Sequence, residues 1–169
     1  MNFPPKFPLR LFIARLYLQQ NKLTEAANEC TRVIQESPNL AAAHSLAGQV
    51  ALAQDLPEVA LNEFETTIRL RPHLVSAEAQ AAVACYRLKR YEISMQHIEN
   101  ALKLSPKTII LWQRQADLFA VQGKTEAAIQ IYREILQANN KQPMALNNLA
   151  ENLAKSGQLN EALGWADQR

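Results

Sequence analysis

Apolar side chains along this chain return every three or four residues, in runs broken by two to four polar, glycine or proline positions. That spacing belongs to helices with one buried stripe. The runs predict helices over about 8–20 and 24–37, 40–54 and 58–71, 74–88 and 92–104, 108–122 and 125–138, then 142–156 and 159–168. Thr24 and Thr125 stand where an N-cap could bond the first free amides, and Pro57 is tolerable only near a helix start. Ten helices and no strand are expected, and connections this short make successive helices antiparallel neighbours.

The same pattern repeats as a lattice. Pro38, Pro72 and Pro106 lie 34 residues apart, and Asn140 takes the next slot. Stepping by that period, Ala14, Gly48, Ala82, Ala116 and Ala150 form one column of small residues, and Ala26, Ala60, Ser94, Ala128 and Ala162 form another. Larger columns lie between them: Tyr17, Ala51, Cys85, Phe119 and Leu153 on the first helix of each pair, and Cys30, Phe64, Ile98, Tyr132 and Ala166 on the second. Small columns let two helices approach, and large residues fill the gaps that remain, as a dense interior requires.

At these columns the chain resembles the tetratricopeptide repeat family, whose motif runs W-x2-L-G-x2-Y, then A-x3-F, then P. The fourth unit carries Trp112, Ala116, Phe119, Gly123, Ala128 and Tyr132, and the fifth carries Leu146, Leu149, Ala150, Leu153, Gly157 and Ala162. The first three depart from it. Arg10, His44 and Glu78 stand where the family prefers Trp, and Asn21, Asp55 and Lys89 stand in the turn where it often has Gly. Asn and Asp accept that turn, whereas Lys89 must bear strain or turn otherwise. The resemblance implies an all-α, right-handed α-solenoid of antiparallel helix pairs. Residues 1–7 are expected to form an extended lead-in, and residues 8–169 a single domain. Its repeats fall at about 7–40, 41–74, 75–108, 109–142 and 143–169, the last incomplete.

The opening MNFPPKFPLR holds three prolines within five positions of one another, which forbids a continuous helix there. It has neither the apolar run nor the cleavage site of a signal peptide, and no segment offers the roughly 20 apolar residues of a membrane helix. A cytoplasmic setting is favoured for the chain as given, or a periplasmic or envelope-associated one if it is excised from a larger bacterial protein. Net charge is +2, with acids and bases interspersed. Nothing resembles a basic stripe, so nucleic acid is not an expected partner.

Candidate chemistry is sparse. Cys30 and Cys85 occupy apolar columns a whole repeat apart and read as buried, unpaired thiols. His44 sits in a packing column, His73 follows a proline in a turn, and His97 is expected to point outward; no metal or other cofactor is expected from them. No nucleophile elbow, phosphate-cradling glycine loop or HExxH appears, so no enzyme activity is expected.

What the resemblance implies instead is a protein or peptide partner. In such stacks the first helices line an inner groove suited to a peptide or helix. The residues it places there are Arg15 and Gln19; Gln49 and Leu52; Val83, Tyr86 and Arg87; Gln113 and Asp117; and Asn147 and Glu151. The middle, Leu52, Val83, Tyr86 and Arg87, combines apolar surface with the aromatic and Arg types that dominate binding energy. The carboxylate clamp of relatives that hold chaperone tails is absent: its positions fall on Leu11, Arg15, Leu46, Ser76 and Gln80, of which only Arg15 fits. Leu159, Ala162, Leu163 and Ala166 would leave an apolar stripe on the last helix, open to the next unit of a longer array or to another copy. The function expected is a non-catalytic interaction scaffold, the alternative being a recruiting segment of a larger enzyme or of a bacterial secretion or exopolysaccharide-export machine.

Overall fold

The structure is a computed structural model that describes residues 7–139 and 141–166. The lead-in positions 1–6, Asn140 of the proline lattice and residues 167–169 lie outside the described residues, and Phe7, expected in the lead-in, opens the first helix. Ten helices follow: α1 (Phe7–Gln19), α2 (Leu23–Glu36), α3 (Ala41–Ala53), α4 (Pro57–Leu70), α5 (Val75–Arg87), α6 (Tyr91–Leu104), α7 (Ile109–Val121), α8 (Thr125–Ala138), α9 (Pro143–Lys155) and α10 (Leu159–Ala166). No strand occurs among the described residues. The chain divides within α6 into two compact units, Met1–His97 and Ile98–Arg169. In the first, α2 packs on both α1 and α3, α4 packs on both α3 and α5, and the odd helices also touch one another. In the second, α8 packs on both α7 and α9, and α10 closes against α9.

One turn is built five times. Asn21, Asp55, Lys89, Gly123 and Gly157, each 34 residues from the next, have φ of 58, 58, 59, 76 and 83°. At each, two backbone bonds close the preceding helix; at the first they are Asn21 N–H to Leu18 O (3.0 Å) and Lys22 N–H to Tyr17 O (2.8 Å). This is a Schellman ending with its left-handed residue just past the cap. The next residue at once serves as N-cap of the following helix, as Lys22, Leu56 and Lys124 do, without a side-chain cap. Thr24 and Thr125, expected as caps, therefore fall inside the first turns: one residue closes one helix and opens the other, leaving no separate capping position. Lys89 takes the left-handed geometry that suits Gly or Asn, against a Cβ clash of roughly 1 kcal/mol. Lys89→Gly is expected to raise the urea midpoint slightly, by at most about 0.5 kcal/mol of stability after the added freedom of the unfolded chain is set against it. A lower midpoint would assign the Lys89 side chain a stabilising contact.

The small and large columns interlock as the lattice requires. Ala14, Ala82 and Ala116 are buried, as are Ala26, Ala60 and Ala128. Ser94, the polar member of its column, donates from Oγ to Ala82 O at 2.7 Å. Gly48 faces Phe64 so closely that a Cβ there would sit 2.6 Å from the ring. Cys30 and Cys85 are free and buried, and loss of hydration, ahead of nearby carboxylates, pushes both thiols up to about 11.

The three hairpins that lack Trp share one substitute. Arg10 Nη1 lies 3.0 Å from Glu29, His44 Nδ1 lies 2.7 Å from Glu63, and His97 Nδ1 lies 2.6 Å from Glu78. Each pair joins the two helices of one hairpin across 19 residues, and the third hairpin exchanges which helix carries the acid. The equivalent positions are Trp112 and Ile131 in the fourth hairpin, then Leu146 and Trp165 in the fifth, all packed in the second unit's core. His97, expected to point outward, is thus turned in toward Glu78: a carboxylate buried on α5 is stable only with a partner.

Candidate functional site

In the first unit α1, α3 and α5 lie side by side, so side chains they turn away from α2 and α4 form one continuous wall. Arg15, Gln19, Tyr86 and Arg87 are exposed on it, and Gln49 and Val83 are half-buried. Leu52 is only 8% exposed and belongs to the core cluster with Phe64 and Cys85, leaving a partner little more than its edge. Tyr86 tilts against Tyr91 with ring centroids 5.7 Å apart. Arg87 is held: its Nη1 donates to Leu52 O at 2.7 Å and lies 3.6 Å from Asp55, placing a cation at the C-terminal end of α3, where the helix dipole favours it. Part of the charge expected for recognition therefore ties α5 to α3.

The wall contains a pocket of about 300 Å³. Arg15 of α1, Ser45, Leu46 and Gln49 of α3, and Leu40 and Asn39 just before α3 line it, together with Leu70, Arg71 and Leu74 around the α4–α5 connection. Arg15 and Gln49 were legible as wall residues; Arg71 and Asn39 were not, because both lie in connections between repeats. A signal existed for Arg71. Its column reads Ser37, Arg71, Ser105, Asn139, one long cation among short polar residues.

In the second unit the expected residues divide. Asp117 accepts from the Tyr132 hydroxyl and from Asn148 Nδ2 at 3.0 Å, so its carboxylate is engaged within the unit. Burial first, and then the bond to Asp117, holds the Tyr132 phenol well above its ordinary range. Gln113 is 7% exposed, with Nε2 lacking a hydrogen-bond partner among the described residues. Asn147 and Glu151 are exposed on α9, with Glu151 paired to Lys155 at 2.7 Å. Arg133 of α8 grips Glu161 of α10 at 2.8 and 2.9 Å and holds its carboxyl below the usual range. Beyond that grip Leu159 and Leu163 are 60% and 64% exposed, while Ala162 is buried; the side chain of Ala166, the last of the expected stripe, lies outside the described residues. No described helix is long and apolar enough to cross a membrane.

Residues 114–168 match the tetratricopeptide repeat family. Among solved structures, the chain is similar to MamA 41-end from Desulfovibrio magneticus RS-1, with a TM-score of 0.89 at 13% identity over 99% of this chain and 94% of that one. It is similar to PilF of Pseudomonas aeruginosa, with a TM-score of 0.83 at 20% identity over 96% and 74%. It is similar also to YrrB, a TPR protein with an unusual peptide-binding site, with a TM-score of 0.77 at 16% identity over 94% and 82%. Identities this low establish the fold alone. No curated protein sequence matches the chain.

Proposed function

We propose that this chain, a tetratricopeptide repeat protein, is a non-catalytic scaffold whose first-helix wall binds a segment of a partner protein. The observation that carries the reading is the contrast within the first unit. Charged side chains at Arg10, Glu29, Glu63 and Glu78 are engaged inside their hairpins, whereas Arg15 and Gln19 stand exposed on the wall beside a pocket and an exposed tyrosine. Arg and Tyr are the types that concentrate binding energy, and a row of parallel helices offers an extended strip for a peptide or helix. YrrB, of the same fold, is described as having a peptide-binding site, which accords with this use.

A photo-crosslinking side chain placed at Gln19, Gln49 or Tyr86 is expected to trap one common partner from extracts of the native cells. The same group at Asn28, Glu65 or Glu99, exposed on second helices, is expected not to trap it. Equal trapping from the second helices would move the site off the wall. Arg87 is unsuitable as a probe, because altering it also loosens α5 from α3.

A further inference from the structure

We infer that the pocket beside α3 recognises acidic side chains of the partner segment, with Arg15 and Arg71 as the paired cations. This rests on the scaffold reading above and names the chemistry of what the wall binds.

Two arginines line one hollow of about 300 Å³ from different elements, Arg15 from α1 and Arg71 from the C-cap of α4. No Asp or Glu lines the hollow. Neither arginine's side chain has an ion pair or hydrogen bond among the described residues, whereas those of Arg10, Arg87, Arg90 and Arg133 are all committed to acids or carbonyls. Two cations lining one hollow without a counter-charge raise the local potential, and an arriving carboxylate relieves it. Arginine suits this role, since its planar fork takes a carboxylate through two parallel bonds.

The remaining lining fits a peptide better than a small anion. Gln49 Nε2 reaches Ser45 Oγ only at 3.5 Å, the outer limit of a hydrogen bond, so both retain capacity for a ligand. Leu40 and Leu74 supply apolar surface beside them. The volume stands at the low end of ligand pockets, with room for one or two side chains. Cations delivered from two separate elements suit a segment carrying more than one carboxylate, rather than the single carboxylate of a chain end.

The test uses the full chain and a set of fluorescein-labelled decapeptides, acetylated and amidated, with two glutamates at every pairwise spacing in an alanine and leucine background. Matched sets carry glutamine instead, with either amidated or free C-termini. Anisotropy is expected to show glutamate peptides at one or a few spacings binding at least about tenfold tighter than their glutamine counterparts, with the preference falling as salt is raised. Arg15→Glu and Arg71→Glu should each abolish the preference. Arg15→Gln and Arg71→Gln should each weaken it about threefold, with circular dichroism and melting unchanged in all four.

Equal binding of the glutamate and glutamine sets, binding only by glutamine peptides with a free C-terminus, or no binding at all would each overturn the acidic site. The crosslinks from Gln19 and Tyr86 separate this from failure of the scaffold reading: crosslinks kept without a glutamate preference remove the acidic pocket alone, and loss of both removes both.

Discussion

His97→Ile is expected to destabilise the first unit by roughly 2–4 kcal/mol, read as a lower urea midpoint of the helical signal. The mutation leaves the Glu78 carboxylate, on a residue 6% exposed, without the imidazole now 2.6 Å away. Removing the partner of a buried carboxylate strands it in a medium that solvates it poorly, which costs about 3–5 kcal/mol when the pair is fully enclosed. The side chain of His97 is 15% exposed, so water recovers part of that loss. Glu78→Leu, which strands only the more accessible imidazole, should cost less. The double variant Glu78→Leu, His97→Ile copies the apolar residues that the lattice places at Leu146 and Ile131, and it should return to within about 1 kcal/mol of the parent, because apolar side chains of similar volume replace buried pairs without loss. A double variant as weak as His97→Ile alone would show that the pair contributes more than mutual neutralisation.

Gly48→Ala should run against the ordinary rule for helices. In an exposed helix that exchange stabilises by roughly 0.5–1 kcal/mol, since glycine gives up more freedom on folding. Here the new methyl would meet the Phe64 ring at 2.6 Å, and Phe64 is fully buried, so the ring has nowhere to retreat. Overpacking of this kind costs roughly 1–3 kcal/mol, and the net expectation is a loss of about 1–2 kcal/mol. The clash predicts its own rescue. Phe64→Leu opens space at a cost of its own, and the double variant should be more stable than the sum of the two singles by about 1 kcal/mol or more in a double-mutant cycle. Strict additivity would mean that Gly48 and Phe64 do not constrain one another.

Much of this could be read along the chain. The period of 34 residues located all five left-handed turn positions, including Lys89, because a repeated backbone geometry leaves a repeated choice of small or turn-forming residues. The helix existence and order followed from the apolar period, with ends shifted by a residue or so. The caps did not follow. Thr24 and Thr125 have the right chemistry, but a connection in which one residue ends a helix and the next begins another gives them no position to cap from.

The ion pairs show a different kind of gap. Arg10, His44 and Glu78 were visible as departures at the Trp position, and Glu29, Glu63 and His97 were visible as residues, yet nothing local connects residues 19 apart. Reading the two columns together would have exposed the complementarity, since wherever one column turns polar in the first three hairpins the other supplies a hydrogen-bonding partner.

The candidate wall was legible as a face and illegible as a surface. The resemblance named Arg15, Gln19, Gln49 and Tyr86 for it, and the structure leaves Arg15, Gln19 and Tyr86 exposed and Gln49 half-buried on the first helices. Burial and pairing depend on what neighbouring hairpins bring. Leu52 sinks into the core, Arg87 is drawn to Leu52 O, and Asp117 is engaged by Tyr132 and Asn148. Arg71 enters the pocket from a connection that no helical phase describes. The chain by itself determined repeat length, helix order and turn sites, all consequences of short-range sterics and periodic apolarity. Only the packed structure decided which side chains are spent on holding hairpins together and which stay open, because that choice is made by contacts between residues 15 to 35 positions apart along the chain.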